Sequence, residues 1–434
     1  MDKGVIHQHS HYHADMYSVE EARSSILSKF ETLEEVSVSI TEALGMVLST
    51  DVESGINIPP FNNSSMDGYA VKSDDLSSAD HTTPTYLKVT ETIAAGTVSQ
   101  NTVEHGTAMR IMTGAPIPDG SDGVVPFEDT SEMDSDFDPI SNQIGVKVSV
   151  SPGQNIRLIG KDVAIGERVL SKGINCTYPV IGVLASLGLD FVKVHRKPVV
   201  AVLSTGDELI NPGEPVTPGK IYDSNSSSLI AAIIQAGGIP KYVGIAKDNL
   251  NSVKEILENA LESDLVISSA GVSKGDYDMV KQALNESGDL NFWSVRMRPA
   301  KPLAFGLLNR ENNSTVPLIG LPGNPVSSLV AFEQFCRPAI RKMLGKSKLV
   351  RENLRGILTD PIHNYDGRRV YARVHVVSDN GKLIATPTGN QDSNILTSMA
   401  RSNAFAICPE DESVKNAGDT VDIIMLDREE ESVM

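Results

Sequence analysis

The residues with the greatest chemical capacity lie between Asp264 and Asp278, in DLVISSAGVSKGDYD. An apolar run (Leu265, Val266, Ile267) ends in Ser268 and Ser269, then opens into a turn holding Gly271, Ser273 and Gly275. Small residues there let backbone N–H groups approach a ligand, and the acids Asp276 and Asp278 close the turn. A strand, a small polar loop and carboxylates, with helix-like DMVKQAL behind, is the layout of a phosphate or metal site at a strand's carboxyl end. A single loop of this kind is as well explained as a simple turn. The surrounding sequence, however, repeats it.

From Pro198 the chain alternates strand and helix. PVVAVLSTGDEL ends a β-branched strand in Ser204, Thr205, Gly206, Asp207 and Glu208. KYVGIAKD ends at Asp248, and NFWSVRMRPAKP ends in Arg296, Arg298 and Lys301. Between them SSSLIAAIIQAGG and SVKEILENALES carry helical spacing, the first closed by Gly237 and Gly238. In VPLIGLPGNPVSS, Asn324 suits an N-cap and Pro325 the first helical turn, beside Ser327 and Ser328. That helix start offers N–H groups and hydroxyls to an anion. In an open parallel sheet, these strand ends face one crevice. Acids gather in three of the loops and cations in a fourth, with Lys274 nearby. A metal beside a phosphate requires that division.

The rest of the chain must position this edge. SVEEARSSILSKF reads as a helix with a Ser18–Glu21 capping box, and VSITEALGMVLSTDV as a second helical segment. The breaker INIPPFNNSSMDGYAV sets small polar side chains from Asn62 to Asp67, which alone is a turn of Asx and Ser type. Residues 84–151 alternate short strands with Gly, Pro and Asp turns, including RIMTGAP with Thr113. GQNIRLIGKDVAIGERVLSKG reads as a hairpin turning near Gly160 and Gly166, and PVIGVLASLG as a helix. Residues 348–434 form a β-rich unit. Its strand DGRRVYARV sets Arg369 and Arg373 on one face and Arg368 on the other, followed by a loop with Ser393.

The expected organisation has five parts. Residues 1–15, with His7, His9, His11 and His13, form a disordered tail. Residues 16–60 and 152–197 form a discontinuous helical and linker domain, 61–151 an inserted β-rich domain, 198–347 an α/β domain and 348–434 a C-terminal β domain. A chain of 434 residues with 40% hydrophobic and 22% charged residues is an ordinary globular one of several domains. Its net charge of −18 argues against a nucleic-acid surface and requires any bound anion to be held by a local basic cluster. No apolar run has the length of a membrane span, and the opening residues are polar, unlike a secretory leader. Three scattered cysteines make no disulfide framework, so a cytoplasmic protein is expected.

Taken together, NNSSMDGYA, RIMTGAP, STGDEL, YDSNSSSL, AGVSKGDYD, RPAKPLAFG, GLPGNPVSSL and TGNQDSNILTSMA resemble the MoeA family of molybdopterin molybdenumtransferases, which includes the C-terminal domain of gephyrin. The resemblance runs from about Ser18 onward. It implies an elongated multidomain homodimer of α/β plus β class, with a central doubly wound α/β domain, a small inserted β domain and a C-terminal β-barrel-like domain. It also implies Mg²⁺, with molybdate and adenylylated molybdopterin as substrates, a molybdopterin adenylyltransferase acting upstream, and neither nucleic acid nor membrane as partner.

Carried over by motif, the catalytic residues fall on Asp67, Glu208, Asp276, Asp278 and Lys301, and the metal ligands on Asp67, Glu208 and Asp278, to which the strand-end reading adds Asp248. Pterin-nucleotide and pyrophosphate contacts fall on Thr113, Ser204, Thr205, Gly206, Ser268, Gly271 and Ser273. The molybdate pocket falls on Arg298, Lys301, Pro302, Ser327, Arg373 and Ser393. The chain departs from the family pattern at Ala270 (for glycine), at Lys274 (for a small apolar residue), and at Arg298 and Ala300 in RPAKP (for KPGKP). These departures leave open a non-catalytic pterin-binding scaffold of the same fold. An adenylyltransferase of the preceding step is a third reading.

Overall fold

The computed structural model describes residues 16–135, 137–138, 140–269 and 286–427. The tail histidines and Ala270, Gly271, Ser273, Lys274, Asp276 and Asp278 lie outside them. The chain divides into two compact units. One holds residues 1–49, 173–178 and 191–434, and the other holds residues 50–172 and 179–190.

The first unit is built on a six-stranded sheet. Its strands are β1 (Val199–Thr205), β2 (Ile239–Ala246), β3 (Leu265–Ser269), β4 (Gly288–Ser294), β5 (Pro302–Asn309) and β6 (Thr315–Leu321), in the order β2-β1-β3-β6-β5-β4. The strands β2, β1, β3 and β6 are mutually parallel. β5 runs antiparallel to both β6 and β4, so β4 points the same way as the parallel set. The sequence read as uniformly parallel therefore contains one reversed strand. The carboxyl ends of β1, β2, β3, β4 and β6 still share one edge.

Strand periodicity explains the layering. In β1, Val200 and Val202 pack with Leu229 and Ile233 of α1 (Ser224–Ala236), while Ala201 and Leu203 pack with Val253 and Leu257 of α2 (Leu250–Ala260). Both faces are thus covered, which is why the strands read as apolar runs and not as alternations. Asp223 caps α1 by accepting from the Ser226 N–H, and Gly237 closes it at φ +96°. A Cβ there would come 2.8 Å from Leu344 Cδ1, so both conformation and space call for glycine. After β6, α3 (Pro325–Ala331) continues through a π-helical stretch (Phe332–Cys336) into α4 (Arg337–Met343).

Five further strands, β7 (Asn353–Leu358), β8 (Arg369–Asp379), β9 (Lys382–Pro387), β10 (Ala404–Cys408) and β11 (Thr420–Met425), close on themselves in the order β8-β9-β7-β11-β10 and back to β8. This closed barrel has no free edge among those strands. The short segment Met297–Arg298 runs parallel to β8, with Arg298 opposite Val370. α5 (Leu396–Ala400) lies between β9 and β10.

The helix Val19–Leu27 carries the capping box expected of Ser18 and Glu21, the Ser18 N–H donating to Glu21 at 2.7 Å. The helix expected over residues 38–52 does not form. Val38 and Ser39 end a strand, Glu35–Ser39, antiparallel to Phe191–His195; turns follow, and Val47 and Leu48 make single bridges to Asn175 and Val194. Gly45, at φ +78°, breaks the helical spacing.

In the second unit a five-stranded sheet runs Gly123–Pro126, Gly68–Val71, Thr107–Ile111, Thr85–Ile93, Gln143–Val146. The hairpin expected around Gly160 and Gly166 does not form. Ile156–Arg157 pairs with Asn63–Ser64, and Arg168–Leu170 with Val52–Glu53. The chain returns along its own incoming segment and does not fold back on its nearest neighbour.

Candidate functional site

The α/β sheet supplies one half of the site. α1 carries the chain from β1 outward to β2, and α2 carries it back to β3 on the other side of β1. The strand order therefore reverses between β1 and β3, the place where open α/β sheets bind ligands. There Thr205 is buried and Gly206 takes φ +149°. A Cβ on Gly206 would lie 2.5 Å from Glu208 Oε2, so the glycine is what lets the carboxylate fold over the loop. Asp207 and Asp248 clasp each other, each donating its backbone N–H to the other's carboxylate at 3.3 and 3.2 Å. This ties the acids that follow β1 and β2 to each other.

The serines divide into two kinds. Ser204 is fully buried and spends its hydroxyl on Ser226 at 2.8 Å. Ser268 is buried at the end of β3. Ser269 accepts from Asn225 Nδ2 at 2.7 Å, and the same amide donates to the Gly323 carbonyl at 2.7 Å. Asn225, which motif reading passed over, thereby ties the start of α1 to the end of β3 and the turn before α3.

The other half is cationic. Arg373 on β8 is only 1% exposed, yet no carboxylate among the described residues bonds its guanidinium. Its Nε donates to Ser398 Oγ at 3.1 Å and its other end to the Asp392 carbonyl at 3.2 Å. Gln391 clips its backbone from both sides, accepting its N–H at 2.8 Å and donating to its carbonyl at 3.1 Å. Burial pushes Arg373 down to about 10, with the nearby Arg298 charge acting in the same direction and Asp392 against both. A buried cation left short of partners is poised for an anion.

The residues that converge on it come from distant segments. Asn324 Nδ2 donates to Ser393 Oγ at 3.1 Å, and the Val326 N–H to the Ser393 carbonyl at 3.1 Å. The start of α3, with buried Ser327, thereby meets the loop before α5. The RPAKP segment approaches through its pairing with β8, bringing Arg298, then exposed Lys301 and half-buried Pro302. Ala300 holds φ +77°, the left-handed region in which glycine would be at ease.

In the second unit, Asp67 accepts the Thr113 N–H at 2.6 Å. That N–H, with the Thr113 hydroxyl, holds the exposed Asp67 carboxyl below the usual carboxylate range. The NNSSMDG stretch is indeed a serine-stabilised turn, Ser64 Oγ donating to the Met66 carbonyl and accepting its N–H. It nonetheless delivers Asp67 and Thr113 as a pair.

Three family descriptions match in succession: "MoeA N-terminal region (domain I and II)" over residues 17–188, "Probable molybdopterin binding domain" over 201–342, and "MoeA C-terminal region (domain IV)" over 355–426. "Molybdopterin molybdenumtransferase 2" of Mycobacterium tuberculosis is 37% identical over 403 residues, 91% of this chain and 96% of that one. The chain belongs to the MoeA family. A "Molybdopterin molybdenumtransferase" of Haemophilus influenzae is 35% identical, with 94% and 98% covered. The crystal structure of a "molybdopterin biosynthesis moeA protein" from Pyrococcus horikoshii OT3 is similar at a TM-score of 0.76 and 30% identity, covering 94% of this chain and all of that one.

Within this MoeA-family chain, the motif-derived residues fall into three groups. Gly206 and Glu208 lie at the end of β1, and Asp248, beyond the end of β2, is joined to that loop through Asp207. Arg298, Arg373, Ser327 and Ser393 meet around α3 and the barrel. Asp67 and Thr113 meet in the second unit. Sequence reasoning missed Asn225, Gln391, Ser398, Tyr365 and Asp366. For the first three the only signal was a polar residue beside a named motif. The last two belong to a turn whose neighbour, the RPAKP loop, is far away in the chain.

Proposed function

We propose that this protein is a molybdopterin molybdenumtransferase that takes adenylylated molybdopterin and molybdate, releases AMP and ligates the metal to the pterin's dithiolene. The observation that carries the reading is the segregation of charge at one sheet edge. Carboxylates sit over the glycine loop of β1, and a cationic cluster surrounds Arg373, whose guanidinium bonds no carboxylate among the described residues. A tetrahedral dianion requires cations and hydroxyl donors without a competing acid, and Arg373, Arg298, Lys301, Ser327 and Ser393 provide that set. The −18 chain would otherwise repel molybdate.

Mg²⁺ belongs to the same proposal. The Gly206 cradle leaves room for the Glu208 carboxylate, which accepts no hydrogen bond from the described residues, and an all-oxygen donor set suits a hard cation. No group of three or more acids, histidines or cysteines positioned to hold a metal occurs among the described residues. Glu208 and Asp248 are the described carboxylates of the first unit proposed for the ion, with Asp278 as a further ligand. Bound there, Mg²⁺ supplies charge neutralisation at the phosphoanhydride. The chain's own contributions are orientation and exclusion. Asn225 fixes the loop ends that flank the nucleotide, and Arg373 holds the oxyanion away from the acids.

Homodimerisation, supply of substrate by an adenylyltransferase, and cytoplasmic residence complete the proposal. Three free, buried cysteines suit a reducing compartment. No helix of the described residues is long and apolar enough to cross a membrane. Relatives that match along their whole length carry a transferase name, which favours catalysis over a scaffold role. Purified protein given adenylylated pterin, molybdate and Mg²⁺ should release AMP and yield active cofactor. Pterin binding without AMP release, unchanged by molybdate, would return the scaffold reading.

A further inference from the structure

The Arg298 guanidinium lies with Cζ 5.7 Å from the ring centroid of Tyr365, within cation–π range. No hydrogen bond or ion pair engages the Arg298 guanidinium among the described residues. Tyr365 is 71% exposed, yet it is not loosely held. Asn364 before it is buried, donating to the Pro409 carbonyl at 2.9 Å and accepting the Gly367 N–H at 3.1 Å. His363 stacks on the tyrosine ring at 5.4 Å and 12°. The turn is also tied to the RPAKP segment itself, through Arg368 to the Met297 carbonyl at 3.3 Å and the Arg369 N–H to the Arg296 carbonyl at 3.1 Å.

The neighbouring acid is equally informative. Asp366 is the carboxylate closest in sequence to Tyr365 and would be a natural partner for Arg298. It is instead engaged by Arg368, whose Nε donates to Asp366 Oδ2 at 3.0 Å and whose second nitrogen bonds the same oxygen. The result is an arginine steadied by a π face, with the nearby acid occupied elsewhere. A π face attracts a guanidinium without using its N–H donors, whereas a carboxylate would use them and compete with an incoming anion. The arrangement also opposes the repulsion between Arg298 and buried Arg373, which is strongest when no anion lies between them.

We infer that Tyr365 is a positioning residue for Arg298, holding its guanidinium free and oriented for the molybdate oxyanion, while Arg368 takes up the hydrogen bonds of Asp366. The Asp366 charge reaches Arg298 only at a distance. The inference rests on the molybdate reading of the Arg298–Arg373 cluster. It also accounts for arginine, where the family pattern has lysine, at this position. A planar guanidinium stacks on a tyrosine face, and a compact ammonium does so less well.

The test measures molybdate dependence of AMP release and, separately, molybdate binding by calorimetry, in wild type and variants of the full chain with unchanged melting temperature. Y365L should raise the half-saturating molybdate about two- to fivefold, the range of an exposed cation–π contact, with kcat at saturating molybdate unchanged. Y365F should behave as wild type, because it keeps the ring. R298K should weaken molybdate similarly, and Y365L should add little in the R298K background. Equal molybdate affinity for Y365L and wild type, or fully multiplicative effects in the double variant, overturns the inference while leaving the site reading intact. Failure of the wild type to bind molybdate at all sinks the site reading itself.

Discussion

Arg373 shows how far one side chain can be set against the stability of its own fold. It is buried, its hydrogen bonds go to a hydroxyl and a carbonyl, and burial draws it down to about 10. An unfolded arginine binds its proton more tightly than this folded one. The charge therefore costs stability throughout the neutral range, and the cost is relieved only as pH rises past about 10. Replacing it with a similar-sized apolar residue removes that burden, a change that in buried ion sites is often neutral or stabilising by on the order of 1 kcal/mol or more. R373M should accordingly unfold at the same or higher urea concentration than wild type, while its molybdate dependence loses saturation. A marked drop in urea midpoint would mean that the arginine's bonds outweigh its desolvation. In the wild type, molybdate affinity should hold across neutral pH and fall as pH approaches 10.

Ala300 makes the same point at the scale of an element. The RPAKP segment links β4 to β5, and its tight course requires φ +77° at Ala300. A non-glycine residue there costs about 1–2 kcal/mol, part of which glycine would return as chain entropy in the unfolded state. A300G should raise the free energy of unfolding by about 0.5–1 kcal/mol in a denaturant titration, and an unchanged or lower value counts against strain at this loop. The sequence made this element partly legible. The departure from glycine was visible, but its conformational consequence was not. Elsewhere the strands of the α/β sheet were readable because burial on both faces gives continuous apolar runs, as in Val199–Thr205 and Leu265–Ser269. Residues 38–52 were misread as a helix because their apolar spacing is helical, whereas Gly45 turns the chain and Val47 and Leu48 bridge to distant segments. β5 was not read as a strand at all, since Gly306 interrupts its short apolar run, and nothing in Pro302–Asn309 records the direction of its neighbours. Tyr365 and Asn225 act through partners 67 and 44 residues away or more, and single-sequence periodicity does not reach that far.

At the scale of the whole molecule, the proposed acid set is divided between the two compact units, Asp67 in one and Glu208 and Asp248 in the other. In a homodimer whose sites are shared between subunits, a mixed dimer with D67A in one subunit and E208A in the other keeps one crevice with both acids. About half of wild-type AMP release should return, whereas each homodimeric variant should be inactive. A dead mixed dimer would instead mean that each subunit builds its own site.

The hydrogen bond from Asn324 to Ser393 bears on how the protein is born. Ser393 sits in a loop between strands of a barrel that closes only with Thr420–Met425. The glycine loops and acids of the α/β sheet precede it by more than a hundred residues, and can fold first as the chain leaves the ribosome. The oxyanion cluster cannot. In the proposed reading, a growing chain completes its molybdate pocket only once residue 425 has been synthesised and has joined the barrel.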